Sequence, residues 1–317
     1  MSLAARLTDL DIEYVDGVQI DLDGDARRYL PPMTDNPQLS SGAVGAYRAH
    51  MNVLRRIVEQ NITTALVLEG DVDWDIRIKS QMHKFARASR MLLEPGQEDR
   101  HWNVAESLPS DSNPSSPYGD VDKWDLSWLG HCGARFPPAD GNVPSGRVEL
   151  RDDITVAEQQ HIEIQWGGKA ILEEYPPHTR VVSRAWGNVC SLAYGITQRG
   201  AQKFLYELGI RKLTDPADLM IRTMCGDHGS NPHGRPTETC LTVQPQLFQH
   251  HRPVASKATF SDIDSHGDHY NELAFTRNIR WSTRVNFPKL VRGDTDYIDQ
   301  FKDGAPAKDF EPDLHED

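Results

Sequence analysis

Four things are scarce in this 317-residue sequence, and each absence narrows the reading. Basic residues are outnumbered, 34 Lys and Arg against 47 Asp and Glu, for a formal net charge of −13. That balance argues against a general nucleic-acid binder, which neutralises phosphates with a basic surface. No apolar run approaches the length that spans a bilayer, and the N-terminus lacks the basic-then-apolar pattern of a signal peptide. Cysteines number only 4, without CxxC or zinc-like spacing, so Cys132, Cys190, Cys225 and Cys240 read as free thiols. No internal repeat is found, which sets solenoids and propellers aside.

What is present is a chain of ordinary globular composition, 38% hydrophobic and 26% charged, long enough for a large core. Its most informative stretch runs from Thr63 to Asp75. Ala65 to Leu68 carries no polar side chain and stops at four carboxylates, Glu69, Asp71, Asp73 and Asp75. A short apolar run ending in an acidic turn with a glycine reads as a buried strand whose carboxyl end opens onto a site. Ligands sit outside the carboxyl ends of strands in open α/β sheets. Clustered carboxylates there are costly unless a cation joins them, and a hard divalent ion, Mg²⁺ or Mn²⁺, suits oxygen ligands. The same stretch could equally be a solvated acidic turn.

The surrounding segments predict further elements. Leu10 to Val15 alternates as a strand. Asp21 to Leu39, polar and proline-containing, reads as a surface connection. Ser40-Ser41-Gly42 offers an N-cap to a helix reaching about Gln60, whose first amides, at Ser41 and Gly42, suit an anion. His50, near that helix's apolar stripe, reads as a core histidine. Ile76 to Leu93 is a second amphipathic helix. Lys123 to Leu129, Val181-Val182, Val189 to Tyr194 and Cys240 to Phe248 read as strands. Thr197 caps a helix ending at Gly209, and Asp215-Pro216 starts another with Asp218 in its first turn, where it could simply complement the helix dipole. His250 and His251, at the end of a strand, could supply a metal ligand or lie on the surface. These elements amount to one domain over residues 1–295, with a mobile loop at about 103–120 and a disordered acidic tail over 296–317.

Gly42-Ala43-Val44-Gly45 with His50, followed by Ala65-Leu66-Val67-Leu68-Glu69-Gly70-Asp71-Val72, resembles the family 25 glycosyltransferases, which carry a G-x-x-G…S-H helix and then a strand ending in E-D-D-V. Trp124-Asp125 with Leu129-Gly130, Ala193-Tyr194-Gly195-Ile196-Thr197 with Gly200-Ala201, and Pro216-Ala217-Asp218 extend the resemblance, which is closest to the fungal branch, over most of Asp11 to Ser256. It implies a GT-A fold with a mostly parallel sheet flanked by helices, a UDP-sugar donor such as UDP-galactose, and Mn²⁺ bridging carboxylates to the diphosphate. The family includes bacterial lipooligosaccharide and collagen galactosyltransferases, which invert the anomeric carbon; the acceptor would be a glycan or a protein.

On this sequence the resemblance puts metal binding on Asp71 and Asp73, with Glu69 beside them, and on His250 or His251. Ser41 and Gly42 would face the donor, and Asp218 would be the base. Three features depart from the family: Gly70 replaces its first aspartate, Tyr47 to Ala49 replaces the usual residues before the histidine, and its opening strand has no counterpart here, which predicts an open sheet edge near Asp11 to Val15. A non-catalytic relative with impaired donor binding is therefore the alternative. A phosphohydrolase is disfavoured, because Glu69 stands where its aspartate nucleophile would follow the strand.

Overall fold

A computed structural model of the chain describes residues 1–20, 30–32, 34, 39–104, 116, 118–226, 238–257, 260–261, 263 and 269–307. Most of the predicted 21–39 connection, most of the 103–120 loop and the last ten residues of the predicted tail lie outside these.

The helices are α1 (Ser2–Leu7), α2 (Ser41–Glu59), α3 (Ile78–Leu92), α4 (Ala170–Glu173), α5 (Gln198–Phe204), α6 (Ala217–Met224) and α7 (Phe287–Arg292). The strands are β1 (Thr64–Leu68), β2 (Val72–Trp74), β3 (His101–Val104), β4 (Leu126–Gly130), β5 (Gly133–Ala134), β6 (Arg147–Leu150), β7 (Trp166–Gly167), β8 (Arg180–Arg184), β9 (Ala193–Thr197), β10 (Cys240–Gln244), β11 (Phe248–Arg252), β12 (Ala255–Ser256), β13 (Tyr270–Asn271) and β14 (Phe275–Thr276).

Ten strands form one sheet, in the order β1-β9-β4-β10-β8-β6-β3, with β11 beside β4 and carrying β2 and β14. The architecture is thus α/β in the broad sense, but the expected mostly parallel sheet gives way to a mixed one. Within this sheet, among the described residues, only β3–β6, β4–β10 and β4–β11 run parallel, and its other ladders are antiparallel. A strand buried along its whole length, such as β9 or β10, looks the same whichever way its neighbour runs, whereas β1, expected as a buried strand, lies at the sheet edge with only Val67 buried.

Helices cover both faces. On one, α3 packs Ile78 and Phe85 against Trp74, Trp124, Leu129 and Phe248. On the other, α2 and α5 pack Tyr47, Met51, Leu54 and Phe204 against Trp128, Tyr194 and Ile196. Period-two alternation explains how adjacent Ala193 and Tyr194 serve opposite cores. The caps are local and legible: Ser40 Oγ accepts from Ala43 N at 3.2 Å and Thr197 Oγ1 from Gly200 N at 3.0 Å. Gly200 is obligatory for another reason, since a Cβ there would lie 2.2 Å from the Asp125 carbonyl oxygen.

Several expectations are corrected. Leu10 to Val15 forms no strand; Leu10 and Ile12 instead lean on the core beside the buried Ala4 and Ala5 of α1. Among the described residues β1 has a single ladder partner, β9. Gly209 does not stop its helix, which continues as a π-helical turn over Leu205–Arg211. Cys240 to Phe248 is broken into β10 and β11, because Pro245 brings no N–H to a ladder. Nor are the cysteines free: Cys132 is bonded to Cys190 and Cys225 to Cys240. The first pair is 58 residues apart in sequence, a distance no spacing rule spans. Finally, residues 296–307 pack on the body, with Phe301 only 2% exposed and the Gln300 amide donating to the Thr276 and Ile279 carbonyls.

Candidate functional site

The carboxyl end of β1 turns sharply through Gly70 into β2, and β11 lies antiparallel against β2 with His250 opposite Val72. The four carboxylates of this turn divide into an outer and an inner pair. Outside, the ligand atoms of Glu69, Asp71 and His250 all lie within 4.8 Å of one another. His250 Nε2 is 3.6 Å from Asp71 Oδ2, and Arg252 Nη1 approaches the same oxygen to 3.8 Å.

Inside, Asp73 is completely buried and fully used. Its Oδ1 accepts from Trp74 N at 2.8 Å and Arg284 N at 3.2 Å; its Oδ2 accepts from Thr276 Oγ1 at 2.7 Å and from Ser282 Oγ. Asp75 does the same work next door, accepting from Arg77 N at 2.8 Å and Trp281 N at 3.2 Å. Burial pushes both carboxyls above the usual range, Asp75 to about 6. The basic-aromatic stretch around Trp281 is therefore a latch closed on buried acids.

The two histidines part company for the reason the carboxylates do. They sit within β11, not after it, and successive strand residues face opposite ways. His250 looks out to Asp71, whereas His251 turns in to Thr276 Oγ1 at 3.0 Å and lies 3.8 Å from Asp73. Burial, then the charges of Arg284 and Arg252, holds His251 down at about 3, so it is neutral at ordinary pH. Of the predicted metal set, Asp71 and His250 come together with Glu69; Asp73 and His251 form a separate buried pair.

Glu69 is tied back into the fold by residues whose role the sequence did not announce. Its Oε1 accepts from Ser191 Oγ at 2.8 Å and lies 3.5 Å from His50 Nε2. His50 Nε2 is also 3.2 Å from Ser191 Oγ, and its Nδ1 is 3.0 Å from the Tyr194 hydroxyl. His50 is buried, as a core histidine should be, yet it touches the site. Burial would raise the Glu69 carboxyl; the His50 contact, the His250 charge and Ser191 outweigh it and hold the group below its ordinary value.

No protein-family model and no curated protein matches this sequence. The site therefore stands on its own geometry, and one further predicted residue, Asp218, can be placed beside it. Asp218, in the first turn of α6, accepts from Cys190 N through Oδ2 at 2.7 Å. Cys190 is itself fixed by its disulfide and directly precedes Ser191, so a single short segment holds Glu69 and Asp218. Burial raises the Asp218 carboxyl, the negative charge of Glu69 adds to this, and the backbone amides oppose it. Ser41 and Gly42 lie at the far end of α2, about 13 Å along the axis from His50 at 1.5 Å per residue. Ser40, not Ser41, is the capping residue.

Proposed function

We propose that this chain is a divalent-metal-dependent glycosyltransferase of the GT-A type, similar to family 25, using a nucleotide-sugar donor such as UDP-galactose. The observation that carries the reading is the convergence of Glu69, Asp71 and His250 where β1 ends, with Asp218 tethered through the adjacent Cys190-Ser191 segment. Two carboxylates and an imidazole fit Mn²⁺, which accepts both oxygen and nitrogen. When bound, such an ion offsets charge on a departing nucleoside diphosphate. The chain's own part is to orient the ligands: Ser191 holds the Glu69 carboxylate, and the β2–β11 ladder sets Asp71 against His250. Asp218 takes the proton of the attacking acceptor hydroxyl at Oδ1 or Oδ2, and its raised basicity suits that role. Two disulfides favour a working environment that is oxidising.

Two observations favour the alternative, a non-catalytic relative. Arg252 already brings a cation to within 3.8 Å of Asp71, and Gly70 removes one acidic side chain from the turn, although nothing lies within 4 Å of where its Cβ would be. Calorimetric titration of UDP with and without Mn²⁺ separates the two readings. Tight binding only with Mn²⁺, weakened about tenfold or more by Glu69→Gln, Asp71→Asn and His250→Ala, is expected of the enzyme. Metal-independent or undetectable UDP binding would overturn it.

A further inference from the structure

Three distant segments meet at a second group of ligand-type side chains, well outside the β1–β2 turn. Glu158 precedes a 3-10 turn, His178 stands two residues before β8, and Asp303 follows the buried Phe301. One ligand atom from each lies within 4.8 Å of the others. His178 Nδ1 is 2.7 Å from the Val156 carbonyl oxygen. A carbonyl can only accept, so Nδ1 carries the proton and, in the neutral ring, Nε2 presents a bare lone pair. That lone pair faces Asp303 Oδ1 at 3.7 Å, with Glu158 alongside. A nitrogen of this oriented ring and one oxygen of each carboxylate thus converge within 4.8 Å. Fixing one ring nitrogen on a backbone carbonyl is also how proteins orient a metal-ligating histidine.

The surrounding charge does not settle this convergence. Arg280 Nη2 reaches Asp303 at 2.9 Å, but its Nε is engaged with Asp299 at 2.9 Å, so one guanidinium is shared by Asp299 and Asp303 with Glu158 still to be balanced. Gly304 N and Gln160 Nε2, both at 2.7 Å from Glu158 Oε2, orient that carboxylate without neutralising it. We propose that Glu158, His178 and Asp303 bind a Zn²⁺ ion, one imidazole and two carboxylates leaving the fourth tetrahedral position to water. The ion would clip the segment after Phe301 to the loops before β8. Gln300, immediately before Phe301, holds the Thr276 and Ile279 carbonyls behind the latch on Asp73. The site is independent of the proposed transferase activity.

The test is made on the full chain carrying Glu69→Gln and His250→Ala, which removes the first cluster from the count. After chelator treatment, this variant is expected to take up one Zn²⁺ by calorimetry and to gain thermal stability as it does so. Adding Glu158→Gln, which keeps an acceptor for Gly304 N, should lower Zn²⁺ affinity about tenfold or more. Adding His178→Asn should do likewise, and asparagine tolerates the left-handed backbone at this position, φ +57°. X-ray absorption of the bound zinc should show one imidazole, lost in His178→Asn. No Zn²⁺ uptake in the starting variant, or uptake unaffected by both further substitutions, would overturn the proposal and leave His178 as an ordinary ion-pairing side chain.

Discussion

Replacing Asp73 by alanine separates the geometry from the resemblance most sharply, because the two assign this residue opposite roles. If Asp73 were a metal ligand, its loss should abolish Mn²⁺-dependent binding and leave the fold intact. The structure instead gives its carboxylate four donors: the Trp74 and Arg284 amides and the Thr276 and Ser282 hydroxyls. The hydroxyls can rotate to new partners, and Thr276 already has His251 beside it. The two amides cannot. At about 1–3 kcal/mol for each buried donor left without an acceptor, Asp73→Ala should lose about 2–6 kcal/mol. That is a large share of the roughly 5–15 kcal/mol that holds a domain together. Urea denaturation followed by tryptophan fluorescence reads this directly, since Trp74 is the neighbouring residue. Mn²⁺ titration of the folded fraction should meanwhile show nearly unchanged affinity, with Asp71→Asn giving the reverse pattern of normal stability and lost binding. Full stability with lost Mn²⁺ affinity in Asp73→Ala would refute the assignment.

Three further outcomes are expected. Asp218→Asn should lower glycosyl transfer about 10²- to 10⁴-fold with UDP affinity nearly unchanged; normal turnover with reduced stability would reduce Asp218 to a helix-start carboxylate that merely binds Cys190 N. Reducing the Cys132–Cys190 bond, which closes 58 residues of chain, should lower the unfolding free energy by about 3–5 kcal/mol, measured as a shift of the urea midpoint with and without reductant. Stability should also fall in acid through two groups. His131 is buried and held down at about 4, so its contribution is complete above the unfolded value near 6.5 and is lost as pH drops toward 4, about 3 kcal/mol in all. Burial would raise Asp153, but Arg180, Lys84 and Thr155 outweigh it and hold it at about 2, so its roughly 2 kcal/mol is present above the unfolded value near 3.8 and is lost from there down to pH 2. A urea-midpoint series against pH tests both, and His131→Gln should flatten the upper part only.

The sequence alone determined what depends on near neighbours. Caps at Ser40 and Thr197 and the apolar stripes of α2 and α3 follow from side-chain chemistry within a few residues, and all were legible. So was the existence of the β1 strand, read from its apolar run, though not its half-buried place at the sheet edge. Strand direction, by contrast, left no trace, since burial on both faces writes the same apolar pattern for parallel and antiparallel neighbours. The disulfides and the His50–Ser191–Glu69 contact were equally silent, because they join segments that only the completed sheet brings together. Asp71 and Asp73 look interchangeable in the sequence, as do His250 and His251. Only the pairing of β2 with β11, and the latch from Thr276 to Arg284 closing over one side, decided which of each pair faces the site and which is sealed beneath it.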